Sequence, residues 1–151
     1  MPDGPTPRTT LRSGYARVLV GLLICLGSGL TAVAAVPAEL VRTTWRWVHF
    51  ASPTEDFSVS EPDRYTLTFD ATGWVKLRAD CNHGAGGVTF PGPGLIQING
   101  LALTHTMCPH DTLSDRFSRD IARAVRWYLR DGKLYLELPA GSGSLWLARR
   151  P

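Results

Sequence analysis

The chain has 151 residues, 44% of them hydrophobic and 19% charged, with 15 glycines and 11 prolines. That is one domain of ordinary size, too apolar for a disordered chain, and its three cysteines are too few for a disulfide-dense miniature. The net charge of +3 divides by position: Arg8, Arg12 and Arg17 against Asp3 leave the bulk of the chain near neutral, so no basic footprint for DNA or RNA is expected.

The N-terminal segment reads as an address. Three arginines precede an uncharged run from Val18 to Ala38, strongest over Val18–Leu26, broken by Gly27, Ser28 and Gly29, and followed by the small residues Ala32-Val33-Ala34-Ala35. This order is that of an export signal over residues 1–34. The competing reading is an uncleaved anchor, because the run can just reach across a bilayer. Either way the arginines stay inside and the rest of the chain is exported. Ile24 before Cys25 argues against lipidation, which favours a small residue there. Residues 35–43 are expected to be a linker, and 44–151 the domain.

Strand patterns dominate the domain. Trp45 to Phe50 alternates loosely. Tyr65 to Phe69 alternates cleanly, and Asp70-Ala71-Thr72-Gly73 turns it into Trp74 to Ala79, a hairpin. The glycine-rich stretch from Gly84 to Gly94 is expected to be mostly loop, with at most a short strand over Val88–Phe90. Asn99-Gly100 predicts a hairpin turn between Leu95–Ile98 and Leu101–Thr104, and Asp131-Gly132 another between Trp127–Arg130 and Lys133–Leu138. Gly141 to Ser144 leads into a last strand at Leu145–Leu147.

One segment breaks this pattern. Leu113, Phe117, Ile121, Ala124 and Val125 recur at helical spacing, and Thr112 with Asp115 suggests a capping box. The spacing predicts one amphipathic helix of three to four turns, with Arg116, Arg119, Arg123 and Arg126 on the face opposite its apolar stripe. About eight short antiparallel strands and one late helix make an α+β domain. Its mainly antiparallel sheet is expected to curl into an incomplete, barrel-like form with the helix packed on it.

Once a leader is removed, Cys81 and Cys108 remain. An even pair in an exported domain reads as a disulfide. Closing a loop of that length stabilises by about 3.5 kcal/mol in the chain-entropy model. The repeated Cys-x-His, Cys81 with His83 and Cys108 with His110, offers a four-ligand metal site as the alternative. A nucleophilic cysteine beside His83, His105 or His110 is a further one, requiring a free thiol of lowered pKa.

These residues also resemble a known family. Asp80-Cys81-Asn82 with Gly84 and Gly87 is similar to the Cys-Asn…Gly element of the META domain, the HslJ-like family once classed as a domain of unknown function. Thr104-His105-Thr106-Met107-Cys108-Pro109 resembles its Thr-x-x-Met-x-Cys signature. The opening Thr44-Trp45, the Tyr65–Phe69 strand, the helix and the ending Asp131 to Leu136 fall in the family's order, over Thr44 to Arg149. Val88 stands where the family usually has an aromatic, and the Pro91–Gly94 loop is unusual. The resemblance implies a small exported or envelope-associated domain linked with stress tolerance, with no catalytic residue and no cofactor. Thr104 and Thr106 are expected to satisfy backbone or strand partners, and Met107 to fill core space beside the disulfide.

Function is expected through surface contacts with an envelope protein, lipid or polysaccharide, by a monomer that meets the membrane only through an uncleaved leader. The arginine face of the helix is the candidate binding surface; its bland account is a solvated face with Asp115–Arg119 and Arg116–Asp120 pairs. An outward tryptophan, Trp146 above all, would mark a contact surface. A carrier of a small apolar ligand, using the open end of the barrel, is the alternative function. An exported hydrolase is a third, for which Asp70 and Asp80 are the acids at strand ends, positions that turn residues ordinarily occupy.

Overall fold

A computed structural model describes Gly4, residues 35–108 and residues 112–151. The expected leader thus lies outside the described residues, Gly4 apart. Among the described residues, no helix is long and apolar enough to cross a membrane.

The strands are β1 (Thr44–Ala51), β2 (Asp56–Ser58), β3 (Tyr65–Phe69), β4 (Trp74–Ala79), β5 (Asn82–Thr89) and β6 (Gln97–Leu103), then the helix α1 (Ser114–Ala122), then β7 (Arg126–Arg130), β8 (Lys133–Glu137) and β9 (Ser144–Arg149). All nine strands join one antiparallel sheet in the order β6-β5-β4-β3-β1-β9-β8-β7, with β2 paired to β1 off this path. The sheet curls into a half-barrel. Its two ends are stitched by Gly94–Ile96: Leu95 bridges Arg126, Ile96 N–H donates to Val125 O (3.2 Å) and Trp127 N–H to Gly94 O (2.9 Å). Backbone groups that an open edge would leave unpaired are satisfied there.

Local chemistry explains the hairpins that form as expected. Asp70 Oδ1 accepts from Thr72 N–H (2.9 Å) and Trp74 N–H (3.2 Å), an Asx turn that reverses β3 into β4. Asp131 and Gly132 both have positive φ (50° and 71°), the backbone of a type I′ turn. The loose alternation of β1 is a bulge between Trp47 and His49, where the pairing with β9 shifts register.

Several expectations are corrected. The Gly84–Gly94 stretch is not mainly loop, since β5 runs through it to Thr89. Its glycines serve close approach to β6: a Cβ on Gly84 would lie 2.4 Å from Ala102 O, and one on Gly86 2.9 Å from Asn99 O, distances no real Cβ tolerates. Asn99-Gly100 makes no hairpin; both flanks belong to β6. Pairing runs Ala85 to Ala102, then Gly87 to Asn99, so β6 carries one extra residue, and Gly100 at φ 60° takes up the bulge. The helix is shorter than expected, at nine residues. Past Arg123 the chain turns to the sheet, where Val125 N–H donates to Glu137 O (2.9 Å); Val125 is exposed rather than on the apolar stripe. Ser114 N–H donates to Thr112 Oγ1 (3.1 Å), but the N-cap is Leu113 without a side-chain cap bond, so the expected capping box is absent. The stretch expected as a linker is partly built into the domain: Leu40 is fully buried, accepts from Trp45 Nε1–H (3.3 Å), and is followed by a bridge from Val41 to Phe69.

The interior of the half-barrel is filled. Trp45, Trp47, Phe50, Phe69, Phe117, Leu134 and Leu147 are among the side chains with less than 2% exposure. The helix contributes Phe117, stacked on Trp47 (5.1 Å between centroids, 13° between planes) and edge-on to Tyr65 (5.7 Å). Such aromatic contacts add about 0.5–1.5 kcal/mol each beyond burial.

Candidate functional site

The sequence singles out the segments around the two cysteines, and the fold brings them together. Cys81 sits in the tight turn between β4 and β5, where Asp80 has φ 61°. Cys108 lies on the extended segment that leads from β6 toward α1. The two are joined by a disulfide across 27 positions of sequence, with Cα atoms 5.5 Å apart. The bond excludes both alternatives weighed for these sulfurs, because neither a metal ligand nor a nucleophile is available from a disulfide. His83 is exposed on β5, while Pro109 and His110 lie outside the described residues.

Asn82, the first residue of β5, is the centre of the arrangement. It is buried, and its carboxamide clamps the opposite segment. Oδ1 accepts from Thr106 N–H (2.7 Å) and Thr104 Oγ1–H (3.0 Å), and Nδ2–H donates to Thr106 O (3.0 Å) and toward Cys108 Sγ (3.3 Å). One side chain thus captures both backbone groups of Thr106, as a neighbouring strand would. Thr104 extends the clamp, donating its N–H to His83 O (2.9 Å) and accepting from His83 N–H (3.1 Å). Ser114, at the start of α1, donates to Ala79 O (2.9 Å) and ties the helix to the end of β4.

The signature residues divide by this geometry. Thr104 bonds as expected, and Thr106 contributes through its backbone alone. Met107 is 97% exposed and fills no core: with Thr106 backbone groups turned inward to Asn82, its neighbour points away. Gly84 permits the approach of β6 already described. Asp80 is buried, and Arg64 Nε–H donates to its Oδ1 (2.7 Å), which holds the β3–β4 end of the barrel. Burial alone would push the Asp80 carboxyl up. The Thr112 hydroxyl, which faces it without a bond of normal geometry, and the Arg64 guanidinium outweigh burial and hold it below the usual carboxylate range. Arg64 and Ser114 carry no motif in the sequence; the only signal for Ser114 is its place just ahead of the apolar helical repeat.

Two shallow grooves flank the clamped segment. One, of about 340 Å³, runs between Leu101–Thr104 and Ser114–Ser118. The other, of about 360 Å³, lies between Met107 and Thr112. Neither opens into the filled interior, so a bound molecule would sit on polar surface.

The arginines of the expected helical face part company. Arg116 is taken up by structure: it pairs with Glu55 (3.1 and 2.7 Å) and Asp120 (3.2 Å) and lies 4.3 Å over the Phe50 ring. Arg119 is exposed and turns to Asp120 (3.5 Å), not to Asp115 as expected. Arg123 is exposed just beyond the helix. Arg126 belongs to β7, 3.5 Å from Glu137. No single arginine face exists. Of the tryptophans, Trp74 is the exposed one, at 53%, while Trp146 is packed between His49 and Tyr135.

The model of the META domain family matches residues 38–149. No curated protein matches the chain with significance. Among solved structures, a protein from Burkholderia xenovorans is similar over 99% of both chains, at 16% identity and a TM-score of 0.62. A DUF4847 family protein from Bacteroides vulgatus ATCC 8482 is similar over 72% of this chain and 93% of its own, at 14% identity and a TM-score of 0.56. At such identities these likenesses concern the fold.

Proposed function

From the membership of this chain in the META domain family, we propose that it is a non-catalytic, exported, envelope-associated domain that acts through contacts on its outer surface, in the envelope's tolerance of stress. The observation that carries this reading is the filled interior: Trp45, Trp47, Phe50, Phe69 and Phe117 occupy the space in which a carried ligand or a substrate would have to sit. The carrier alternative, which needs the barrel interior, finds that interior occupied by side chains among the described residues. The buried polar side chains support the reading further. Asp80 is bound by Arg64, Asn82 by the Thr104–Cys108 segment, Ser114 by Ala79, and Asp120 by Arg116. Each is committed to a structural partner, Asn82 and Ser114 included, although these two also line the grooves. A disulfide at Cys81–Cys108 is at home in an oxidising compartment.

The test is cell fractionation followed by intact mass after alkylation without reductant. Recovery in the envelope or medium with no alkylated Cys81 or Cys108 is expected. Recovery in the cytosol with both thiols alkylated overturns the reading.

A further inference from the structure

The outer face of the half-barrel carries a row of side chains that no single segment of the sequence displays. His83 pairs with Arg78, Arg78 with Thr66, Thr66 with Arg46, Arg46 with Ala148, Ala148 with Lys133, and Lys133 with Arg130. These residues lie in one register across seven strands, a path of about 29 Å at the ordinary strand spacing. Four of the seven are cations, one is a histidine, and none is an acid.

Folding alone does not account for the row. Like charges directly opposite one another destabilise a sheet, and Arg130 stands opposite Lys133. Two of the cations have partners: Arg46 pairs with Asp63 (3.2 Å) and Arg78 Nε–H donates to Asp80 O (3.1 Å). Arg130 is 72% exposed and only loosely near Asp131 (3.5 Å). Neighbouring cations of the row stand within a Debye length of about 10 Å, so their fields add.

Beside the β7–β1 half of the row runs a second one, two residues along β7, β8 and β9 and three along the bulged β1. Tyr128, Tyr135, Trp146 and His49 follow in register, with ring centroids 4.8, 5.3 and 4.4 Å apart; Tyr128 is exposed, Trp146 half-buried, Tyr135 buried beneath them, and His49 lies against Asp56 (3.3 Å). The bulge in β1 keeps both Arg46 and His49 in the outward rows.

We propose that the row from His83 to Arg130, with the aromatic row beside it, is a docking surface for a linear acidic polysaccharide laid across the strands. The proposal rests on the envelope reading above for the place where such a polymer is met. Charge complementarity selects a polyanion, and arginine forks suit carboxylates. The Tyr128 ring, 37% exposed, and the half-buried edge of Trp146 favour a polymer with apolar ring faces, which a bare phosphate chain lacks. The convex curl of the sheet selects a flexible chain over a bilayer, because a flat surface touches a convex row along only part of its length.

The experiment titrates the full chain, with its disulfide intact, against polygalacturonate, with neutral dextran, an oligothymidylate and phosphatidylglycerol vesicles as parallel arms. The variant R130E/K133E exchanges one like-charged cross-strand pair for another, so the sheet meets the same repulsion. R119E/R123E makes the same charge change away from the row, and R130Q/K133Q removes the charges without reversing them. Polygalacturonate is expected to bind, more weakly as salt rises. R130E/K133E is expected to lose roughly tenfold or more of the affinity, with a salt slope flatter by about 1.4 if each lost contact releases counterions as on a single-stranded polyanion. R130Q/K133Q should show a smaller loss, and R119E/R123E should stay within about twofold of the parent protein. No binding to polygalacturonate, equal losses in the row and helix variants, or tighter binding of oligothymidylate or vesicles overturns the proposal. The assay uses purified protein, so its outcome is independent of the fractionation that tests export.

Discussion

The clamp around Asn82 makes a quantitative prediction. Asn82→Ala removes three well-formed hydrogen bonds, Thr106 N–H to Oδ1 (2.7 Å), Thr104 Oγ1–H to Oδ1 (3.0 Å) and Nδ2–H to Thr106 O (3.0 Å). Each contributes about 0.5–1.5 kcal/mol net. The groups left behind lie where water enters from the adjoining grooves, so the lower part of the range for a stranded polar group applies, and the total is about 2–4 kcal/mol. For a domain of this size the melting temperature should fall by roughly 4 °C per kcal/mol. The assay is urea and thermal unfolding of the oxidised protein, with Thr106→Ala and Met107→Ala as comparisons. The Thr106 and Met107 side chains are exposed, so both variants should remain within about 0.5 kcal/mol of the parent protein. A loss under about 0.5 kcal/mol for Asn82→Ala, or a comparable loss for Met107→Ala, refutes the assignment of the signature to a backbone clamp.

Two further outcomes follow from the same region. The folded-state carboxyl of Asp80 titrates below its ordinary value, so the stability it contributes is present above the unfolded value near 3.9 and is lost as pH falls through the folded one. Asp80→Asn should therefore be less stable than the parent protein at pH 7, with a gap that narrows as the pH falls below about 5; a gap that stays constant on acidification in chemical denaturation contradicts the assignment. Gly84→Ala should cost more than about 2 kcal/mol, because its Cβ would meet Ala102 O at 2.4 Å, whereas a Gly84 variant that melts with the parent protein would mean that β5 and β6 can separate freely.

What the sequence made legible was local. The Asp70–Gly73 and Asp131-Gly132 turns announce themselves because their geometry depends on two to four adjacent residues, and the α+β class follows from their number. The errors share a cause. Glycine reads as a loop signal because it frees the backbone, but at Gly84 and Gly86 it is required by the strand across from it, which no local window contains. Asn99-Gly100 has the residues of a hairpin turn, yet the same positive φ at Gly100 serves a bulge when both flanks pair with β5. The helix pattern continued to Val125, but the backbone of Val125 already belonged to the seam that closes the half-barrel. In each case a tertiary hydrogen bond decided between two conformations that the local residues permit equally.

The candidate surfaces were hidden for a related reason. The four arginines Arg116, Arg119, Arg123 and Arg126 fall on one arc if the helix is drawn to Arg126, and that drawing made them a surface. With the helix ended at Ala122, Arg126 passes to the sheet and Arg116 to its ion pairs with Glu55 and Asp120. The row from His83 to Arg130 shows the converse. Its members come from positions 46 to 148 and never form a charge run, and the near-neutral balance of the domain conceals them. They become neighbours only through pairing register, and a slip of one residue in any strand would turn that strand's contribution into the core. The hydrophobic residues between them, Trp45, Leu77, Leu134 and Leu147, are all buried and forbid such a slip. The core that fills the interior is therefore also what holds the cations in line outside.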